Sequence, residues 1–482
     1  MVTSLLPWWM MDEQEADDFT PRNIPNLALW LDSSNGVKTG GAGQFTAANS
    51  EYLSIADNAS LSVDGSTFSV ACFFYADSLA TQRTLLCKFK TGSDGEFWLK
   101  VDDSDTSALR FIVYNGSTSS AVSTPTATIA TGGFYFVVAW LDSDLIPRIS
   151  VNGVVTEGVA PLATAIAASD APFTIGARNT GSNLWDGRIS RALLAKRVWT
   201  SAERTWLFNS NAGRTYEEFG NASNDGANLL TNLVSYWKLG EVSGTRNDSH
   251  GTNHLTDNNT VTWAAGPSLI DAYEGSVVRQ WNDRSGSGAN VDQATVANMP
   301  LFKVGIQNGR PTVRFDGSND FMGNVSAGGV TGNADHTMIL ACIPITITAG
   351  FKGILTCGYS AGSGTRITST IGEQNTGKNW YGGDDLVTPI GGDMAASPVI
   401  YAKKHASGVT QGYKNGATDG STQSNTYALA NAGILVGVYA SDAGAMNVDV
   451  MEALIYSRAL TAAEMAQAAR YLSRKYAIGL AA

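Results

Sequence analysis

The chain has 482 residues, of which 43% are hydrophobic and only 16% are charged, and it contains 51 glycines and 13 prolines. This balance is typical of short strands joined by polar turns, and it excludes an intrinsically disordered chain. The net charge is −11 and no basic cluster occurs, so the sequence predicts no nucleic-acid partner. No apolar run reaches the roughly 18–20 residues that a membrane span requires, so no span is predicted.

The first predicted element, residues 1–22, is an anchoring peptide. It lacks a basic region and a small-residue cleavage site, so it does not have the pattern of a secretory signal. Its apolar part is followed by an acidic run and cannot be buried in a sandwich that starts near residue 24. Such a segment often docks on a partner. We therefore expect it to anchor the protein to a larger assembly through Leu5, Leu6, Trp8, Trp9, Met10 and Met11.

The rest of the chain carries one pattern twice. Each copy has a strand that ends in Phe, two Cys-containing strands, an Asn-Gly turn, a strand that ends in Gly, and a Thr-x-x-Glu sequence. In chain order the paired landmarks are Phe45 and Phe315, Cys72 and Cys342, Cys87 and Cys357, Asn152-Gly153 and Asn415-Gly416, Gly176 and Gly437, and Thr200 and Thr461. Six landmarks in one order predict a duplicated domain.

Most other segments alternate with period two, as in Phe134–Trp140 and Arg188–Leu194. Asn-Gly favours a type I′ hairpin turn, and Thr-x-x-Glu favours a capped helix. Short, regularly spaced strands with turn signals between them predict an all-β fold. We expect two antiparallel β-sandwich (jelly-roll) domains, each with a short C-terminal helix.

These motifs resemble the LamG-like jelly-roll family of the concanavalin A-like lectin/glucanase superfamily. The matching features include the Phe-ending strand, the Asn-Gly hairpin, the strand over Phe173–Gly176, and Arg458-Ala459-Leu460-Thr461 before the last helix. The first copy departs slightly at that point, with Arg197-Val198-Trp199-Thr200. The resemblance covers most of residues 24–482. It implies a jelly-roll fold and says almost nothing about the ligand.

A domain of this family usually opens with a Trp-containing strand, and both openers in this chain are out of order. The opener with Trp30 resembles the start of the second copy, and the opener with Trp237 resembles the start of the first. We therefore predict that the first copy is circularly permuted and inserted into the second. The alternative is two tandem domains, each using the nearer opener. The predicted bounds are 1–22 for the peptide, 38–266 for jelly roll A, and 23–37 plus 267–482 for jelly roll B.

The four cysteines, Cys72, Cys87, Cys342 and Cys357, are spaced fifteen residues apart within each copy. Each pair flanks a predicted hairpin, which would place the partners opposite each other on adjacent strands. One interpretation is a cross-strand disulfide in each copy, and the other is buried thiols. Because no secretory signal is recognised, we favour thiols.

Two loops share a D-x-(S)-G-x-N character, and Asp248 and Asp283 lead them. Aspartate and backbone carbonyl oxygens are the ligands that Ca²⁺ prefers. Since similar laminin-G-like domains often carry calcium, these two aspartates are the candidate metal ligands. The alternative is an Asx-type turn, in which the aspartate bonds its own backbone.

The sequence predicts binding rather than catalysis. The glucanase relatives need two carboxylates on one strand face, and their E-x-D-x-x-E pattern does not occur in this chain. Aromatic rings beside turns are the candidate glycan-binding groups, with core packing as the alternative for each. These candidates are Tyr114, Trp185, Trp380 and Tyr381.

We therefore expect a non-catalytic, lectin-like display protein. By analogy with signal-less proteins that carry LamG-like domains, we expect a virion component (decoration, fibre or tail protein) present in multiple copies and presenting its jelly rolls to glycans or a cell surface. One alternative is a bacterial surface or secreted adhesin. Another is a glycan-cleaving enzyme.

Overall fold

The computed structural model describes residues 19–65, 67–92, 94–220, 229–325, 329–347, 350–359, 368–374, 377–382, 390–424, 426–427, 429, 433–440 and 443–481. The predicted anchoring residues Leu5, Leu6, Trp8, Trp9, Met10 and Met11 lie outside the described residues. The chain divides into two compact units. Unit A comprises residues 40–270, and unit B combines the residues up to 39 with residues 271–482.

Two α-helices and many short strands make up the described residues. The helices are α1 (Ser201–Phe208) and α2 (Ala462–Tyr476). The first strands are β1 (Leu27–Asp32), β2 (Val37–Phe45), β3 (Tyr52–Ile55), β4 (Phe68–Ala76), β5 (Thr84–Thr91), β6 (Asp94–Val101), β7 (Leu109–Tyr114), β8 (Ser119–Ser123), β9 (Phe134–Leu141), β10 (Pro147–Val151), β11 (Val154–Glu157), β12 (Phe173–Ile175), β13 (Gly187–Ala195), β14 (Leu233–Trp237), β15 (Thr256–Asn258) and β16 (Thr262–Asp271). The later strands are β17 (Gln280–Trp281), β18 (Val291–Asp292), β19 (Leu301–Gln307), β20 (Arg310–Asp316), β21 (Met322–Asn324), β22 (His336–Thr346), β23 (Lys352–Tyr359), β24 (Ser369–Gln374), β25 (Lys378–Trp380), β26 (Ile390–Asp393), β27 (Val399–Ala406), β28 (Val409–Lys414), β29 (Ala417–Ser424), β30 (Gly433–Val436), β31 (Val438–Ala440), β32 (Ala443–Ala445) and β33 (Asn447–Tyr456).

Unit A is a sandwich of two antiparallel sheets. Its back sheet has the strand order β11-β10-β9-β4-β13-β14, and its front sheet has the order β15-β3-β12-β5-β6-β7-β8. Successive side chains of a strand face opposite ways, so alternate residues of both sheets fill the space between them. This core includes Phe45, Phe97 and Trp237.

Unit B has the same architecture. Its back sheet has the order β19-β20-β33-β22-β27-β28-β29, with β1 also paired to β33. Its front sheet has the order β17-β18-β21-β30-β23-β24-β25-β26. Trp281, Phe315 and Met338 belong to the core between these sheets. The predicted all-β fold is therefore confirmed.

Two landmarks of the repeat touch each other in each unit. Gly176 has φ +82°, and a Cβ atom there would lie 2.5 Å from the ring of Phe45. Gly437 has φ +88°, and a Cβ atom there would lie 2.1 Å from the ring of Phe315. Because only glycine tolerates both the left-handed backbone and the close ring, the two residue types recur together in the two copies.

A helix covers the outer face of each back sheet. In α1 the Thr200 hydroxyl accepts from the amide of Glu203 (3.2 Å), and in α2 the Thr461 hydroxyl accepts from the amide of Glu464 (3.3 Å). Each glutamate bonds back to the threonine amide, which completes the predicted capping box. No helix in the described part of the chain is long and apolar enough to span a membrane.

The two opener strands pack as follows. Trp30, on β1, lies in unit B, where β1 pairs with β33 and the indole N–H donates to Glu452 (2.6 Å). Trp237, on β14, lies in unit A, where β14 pairs with β13 and the indole N–H donates to the carbonyl of Asn253 (2.6 Å). A strand that precedes unit A in sequence therefore completes unit B. Circular permutation as the origin of this arrangement stays a prediction.

All four cysteines are buried free thiols. The predicted cysteine hairpins are wrong, because the chain crosses from one sheet to the other between the two strands of each pair. Cys72 is on β4 of the back sheet of unit A, whereas Cys87 is on β5 of its front sheet. Cys342 on β22 and Cys357 on β23 are separated in the same way in unit B.

Candidate functional site on the front sheet of unit A

The structure buries all four predicted glycan-binding rings. The exposed fraction is 0% for Trp185 and Tyr381, 2% for Trp380 and 7% for Tyr114. Trp185 packs edge-on against Phe74 in the core of unit A, with ring centroids 5.6 Å apart. Since none of the four presents a free ring face, the expectation that they stack on a sugar is wrong. The four rings instead pack in the core or against a sheet, which was the alternative interpretation.

The two candidate calcium ligands are engaged by hydrogen-bond donors. One oxygen of Asp248 accepts from the amides of Tyr236 and His250, and the other accepts from the amide of Asn253, at 3.0–3.1 Å. These donors surround a carboxylate that is only 6% exposed. Their hydrogens would repel a cation placed at the same oxygens, so the Asx-turn alternative describes this loop.

Asp283 has the same role in unit B. Its carboxylate accepts from the amide of Trp30 (2.9 Å) and from both the amide and the hydroxyl of Ser285. Each aspartate thus ties a loop to the Trp-bearing opener strand, which is a structural function. Within the described residues, no group of three or more His, Cys, Asp or Glu side chains is arranged to hold a metal.

The carboxylate nearest the middle of the front sheet of unit A is also engaged. Glu96 is 0% exposed and lies 3.0 Å from the ammonium of Lys88. It also accepts from the hydroxyl of Ser62 and the amide of Val63. A buried, ion-paired carboxylate cannot exchange protons with a glycosidic oxygen at the surface, so this residue does not supply glucanase chemistry.

A second apolar cluster lies on the face of this sheet that points away from the core. In β6 the residues Phe97 and Leu99 belong to the core, whereas Trp98 belongs to the second cluster. The same alternation separates Phe111 from Tyr114 in β7. We call this group the outer-face cluster, and it consists of Cys87, Phe89, Trp98, Ile112 and Tyr114.

The rings of the outer-face cluster stack on one another. Phe89 is stacked on Trp98 at 5.5 Å and on Tyr114 at 4.4 Å between ring centroids. The indole N–H of Trp98 donates to the hydroxyl of Thr84 (2.9 Å). Because the rings cover each other and Trp98 is only 4% exposed, they form a rigid support rather than a stacking surface.

Cationic side chains cover this support. The Lys100 ammonium lies 3.9 Å from the centre of the Trp98 ring, and the Arg178 guanidinium lies 5.2 Å from it. Lys100 and Arg110 share the carboxylate of Asp103, which is 3.0 Å from Arg110 and closer still to Lys100. Burial lowers the pKa of Lys100, and Asp103 opposes that shift. A cation over an indole face is stabilised by the ring quadrupole.

Arg178 differs from the other two cations. It follows β12 in a tight turn in which the backbones of Arg178 and Ser182 pair (N–O distances of 2.7 and 3.2 Å) and the Arg178 Nε donates to the Ser182 hydroxyl (3.3 Å). Within the described residues no carboxylate lies in ion-pair range of Arg178. Arg178 is therefore a fixed, partly exposed guanidinium over the Trp98 ring.

The front sheet of unit B carries rings of a different kind. Trp380 meets Phe351 and Tyr439 edge-on, with centroids 5.4 Å apart in both pairs. Phe351 is 47% exposed, so it presents a ring at the surface. The two front sheets therefore differ, since that of unit A presents cations on buried rings and that of unit B presents an exposed ring.

Sequence reasoning missed Trp98, Lys100, Arg178 and Phe351. The alternation in Phe97-Trp98-Leu99-Lys100-Val101 is readable in the sequence, and it places Trp98 and Lys100 on one face of a strand. The sequence does not show that a loop brings Arg178 over the same ring. That contact depends on the packing of β12 beside β5.

Comparison with known proteins identifies the family of the segment that carries this surface. Residues 47–203 match the family model described as the concanavalin A-like lectin/glucanases superfamily. This segment contains the Trp98 platform, Arg178, and the capping box of α1. The match covers about a third of the chain. No curated protein sequence matches the chain.

Several solved structures resemble parts of this chain. A protein from Bacteroides ovatus ATCC 8483 is 19% identical over 48% of this chain and 62% of its own length, with a TM-score of 0.36. The chain thus spans less than two thirds of that protein. CBM40 of the Ruminococcus gnavus IT-sialidase is 14% identical over 35% of this chain and 96% of its own length, with a TM-score of 0.27.

Domain 4 of AbnA, an extracellular arabinanase from Geobacillus stearothermophilus, is 15% identical over 37% of this chain and 97% of its own length. Its TM-score is 0.26. Because all three TM-scores are below 0.5, these similarities carry no argument about the ligand of this chain.

Proposed function

We propose that this chain is a non-catalytic, lectin-like protein that binds a glycan on the front sheet of unit A. The match of residues 47–203 to the concanavalin A-like lectin/glucanases superfamily supports a lectin-like role. The engaged state of Glu96 supports binding without cleavage.

The observation that carries the proposal is the position of Arg178. A guanidinium supplies donors in a fixed fork that matches polar groups on a sugar, and a rigid support lowers the entropy lost on binding. Arg178 lies over Trp98 with its charge unpaired by any described carboxylate. Arg214, an arginine on the other side of unit A, is instead paired with Glu218 (3.0 Å).

A glycan array probed with the whole chain tests this proposal. We expect a small set of glycans to bind the wild-type chain and to be lost in Arg178→Gln. Arg214→Gln is the matched control, because that guanidinium also lies over an indole ring (Trp206, 4.7 Å) but on the other side of unit A. Phe351→Ser in unit B is a second control and is expected to keep the signal.

Three results are decisive. Loss of binding in Arg178→Gln alone supports the assignment to unit A. Loss in Phe351→Ser alone would move the site to the front sheet of unit B and contradict the proposal. Release of reducing sugar from any bound glycan would contradict the non-catalytic role.

We also propose, from the sequence, that residues 1–22 anchor the protein to a larger assembly, with a virion as the expected location and a bacterial surface as the alternative. The basis is the apolar stretch Leu5–Met11 before an acidic run. Deletion of residues 1–20 is expected to abolish incorporation into the particle while leaving the folded units intact. Unchanged incorporation would contradict this role.

A further inference from the structure

We infer that the ligand bound on the front sheet of unit A is an anionic saccharide, whose carboxylate or sulfate group is recognised by Arg178 and attracted by the nearby charge of Lys100. This inference rests on the proposed glycan-binding function and specifies the chemical class of the ligand. Neutral sugars are usually held by stacking on exposed rings, and the rings at this site are covered.

The first argument is the convergence of cations. Lys100 and Arg178 lie 3.9 and 5.2 Å from the centre of the same indole ring, so their charged groups are within about 9 Å of each other. Arg110 is joined to Lys100 through Asp103. An anionic group bound to Arg178 would therefore also be attracted by the charge of Lys100. Bidentate pairing of a guanidinium with a carboxylate or sulfate is among the stronger polar contacts in proteins.

The second argument is the local balance of charge. Asp103 lies beside Lys100 and Arg110, and Asp102 and Asp105 lie close by. Burial would raise the pKa of Asp102, but hydrogen bonds from Ser123 and Ser104 hold it below its usual value, so it stays ionised. Arg178 is nevertheless a cation of this face without a carboxylate in ion-pair range among the described residues. An anionic group of a ligand would supply that missing partner.

The third argument is that the cations are fixed before the ligand arrives. The Lys100 side chain is only 3% exposed and is held by Asp103 and the Trp98 ring. Arg178 is held by its backbone pairing and by the hydroxyl of Ser182. Preorganised, partly desolvated cations bind an anion more strongly than flexible surface cations, because less ordering is needed on binding.

Calorimetric titration of the whole chain with matched probes tests the inference. The probes are oligogalacturonate with its methyl ester, and dextran sulfate with dextran, at physiological ionic strength, where the Debye length is about 8 Å. We expect at least one acidic probe to bind and its neutral partner to bind at least tenfold more weakly. The two pairs distinguish a carboxylate ligand from a sulfate ligand.

Two variants distinguish a site that recognises the charge of the ligand from a folding defect. Arg178→Lys keeps the charge without the fork and is expected to bind the acidic probe roughly tenfold more weakly, with Arg178→Gln weaker still. Asp103→Asn removes a competing carboxylate and is expected to bind several-fold more tightly. Its control is Asp144→Asn, which removes the partner of Arg148 on the back sheet and is expected to change nothing.

The outcomes are distinguishable. Equal binding of an acidic probe and its neutral partner, or weaker acidic binding in Asp103→Asn, would overturn the anionic ligand while the lectin-like function stands. If neither these probes nor any glycan on the array binds, the proposed function itself fails. Tighter binding in Asp103→Asn cannot result from a damaged fold, so that result would support the inference directly.

Discussion

Lowering the pH is expected to destabilise unit B more than unit A, because unit B buries two histidines. His336 and His405 are opposite each other on β22 and β27, with ring centroids 5.3 Å apart, and both are 0% exposed. Burial, together with the positive charge of Lys403, lowers the pKa of His336 to about 3 and that of His405 to about 4.

The direction and magnitude of the stability change with pH follow from proton linkage. An unfolded histidine has a pKa of about 6.5, so below that pH the unfolded chain binds protons that the folded unit does not. The stability contribution is complete above pH ~6.5 and is lost as the pH falls towards the folded-state values. At pH ~5 each histidine lowers the free energy of unfolding of unit B by RT ln(1 + 10^1.5), which is about 2 kcal/mol. The pair removes about 4 kcal/mol from a total that is typically about 5–15 kcal/mol.

Denaturant titrations read by hydrogen exchange of peptides from each unit measure this loss separately. Unit A is the internal reference, since its histidines, His250 and His254, lie in a loop that is at least partly exposed. His405→Gln removes one titrating group, and its amide can still reach Asn333, which now bonds the imidazole at 3.0 Å. The loss in unit B between pH ~7.5 and ~5 is expected to fall by about half in this variant.

Two results would refute the reasoning. One is an equal loss of stability in both units between these pH values. The other is a pH dependence of unit B that His405→Gln leaves unchanged, since the linked protons would then belong to other groups.

Three further predictions use the repeat and its thiols. Trp30→Phe removes an indole hydrogen bond and is expected to destabilise unit B by about 1–3 kcal/mol and leave unit A unchanged. Trp237→Phe is expected to destabilise unit A and leave unit B unchanged. Hydrogen exchange measured separately for each unit tests both expectations. Gly437→Ala places a Cβ atom 2.1 Å from a ring on a left-handed backbone, and it is expected to lower the free energy of unfolding of unit B by more than about 2 kcal/mol. Its control is Gly132→Ala, with φ +86° and no atom within 4 Å. That variant is expected to lose only the about 1–2 kcal/mol that the left-handed backbone costs. Ellman titration is expected to find four thiols after unfolding and very slow reaction before it, because all four are buried; fewer than four after unfolding would indicate disulfides.

The fold could be predicted because its signals are local and occur twice. Period-two alternation, Asn-Gly turns and the two capping boxes each need only a few neighbouring residues. In both Asn-Gly turns the asparagine side chain even accepts the same kind of bond, from Phe136 (2.8 Å) in unit A and from Ile400 (2.9 Å) in unit B. Because each signal occurs in both copies and in the same order, the matches are not coincidental.

The binding groups could not be predicted from the sequence. The direction in which a side chain points, and the residues that it contacts, depend on how the sheets pack. Trp185 and Trp380 lie beside turn residues, and no neighbouring residue in the sequence shows that their side chains are buried. The cysteine hairpins failed for a related reason, since a short connection in sequence joins two sheets as readily as two adjacent strands. Asp283 illustrates the same limit, because its backbone partner Trp30 lies 253 residues away.

The pairing of β1 with β33 has a consequence for synthesis of the chain. Trp30 and its partner Glu452 are separated by 422 residues, so β1 leaves the ribosome long before the strand that it pairs with exists. At about 5–20 residues per second, the delay is roughly 20–80 s. All of unit A emerges during that interval and has the time to fold first. The last strand of unit B then pairs with an N-terminal strand that was synthesised long before it, so truncations near the C-terminus should leave unit A folded and β1 without a sheet.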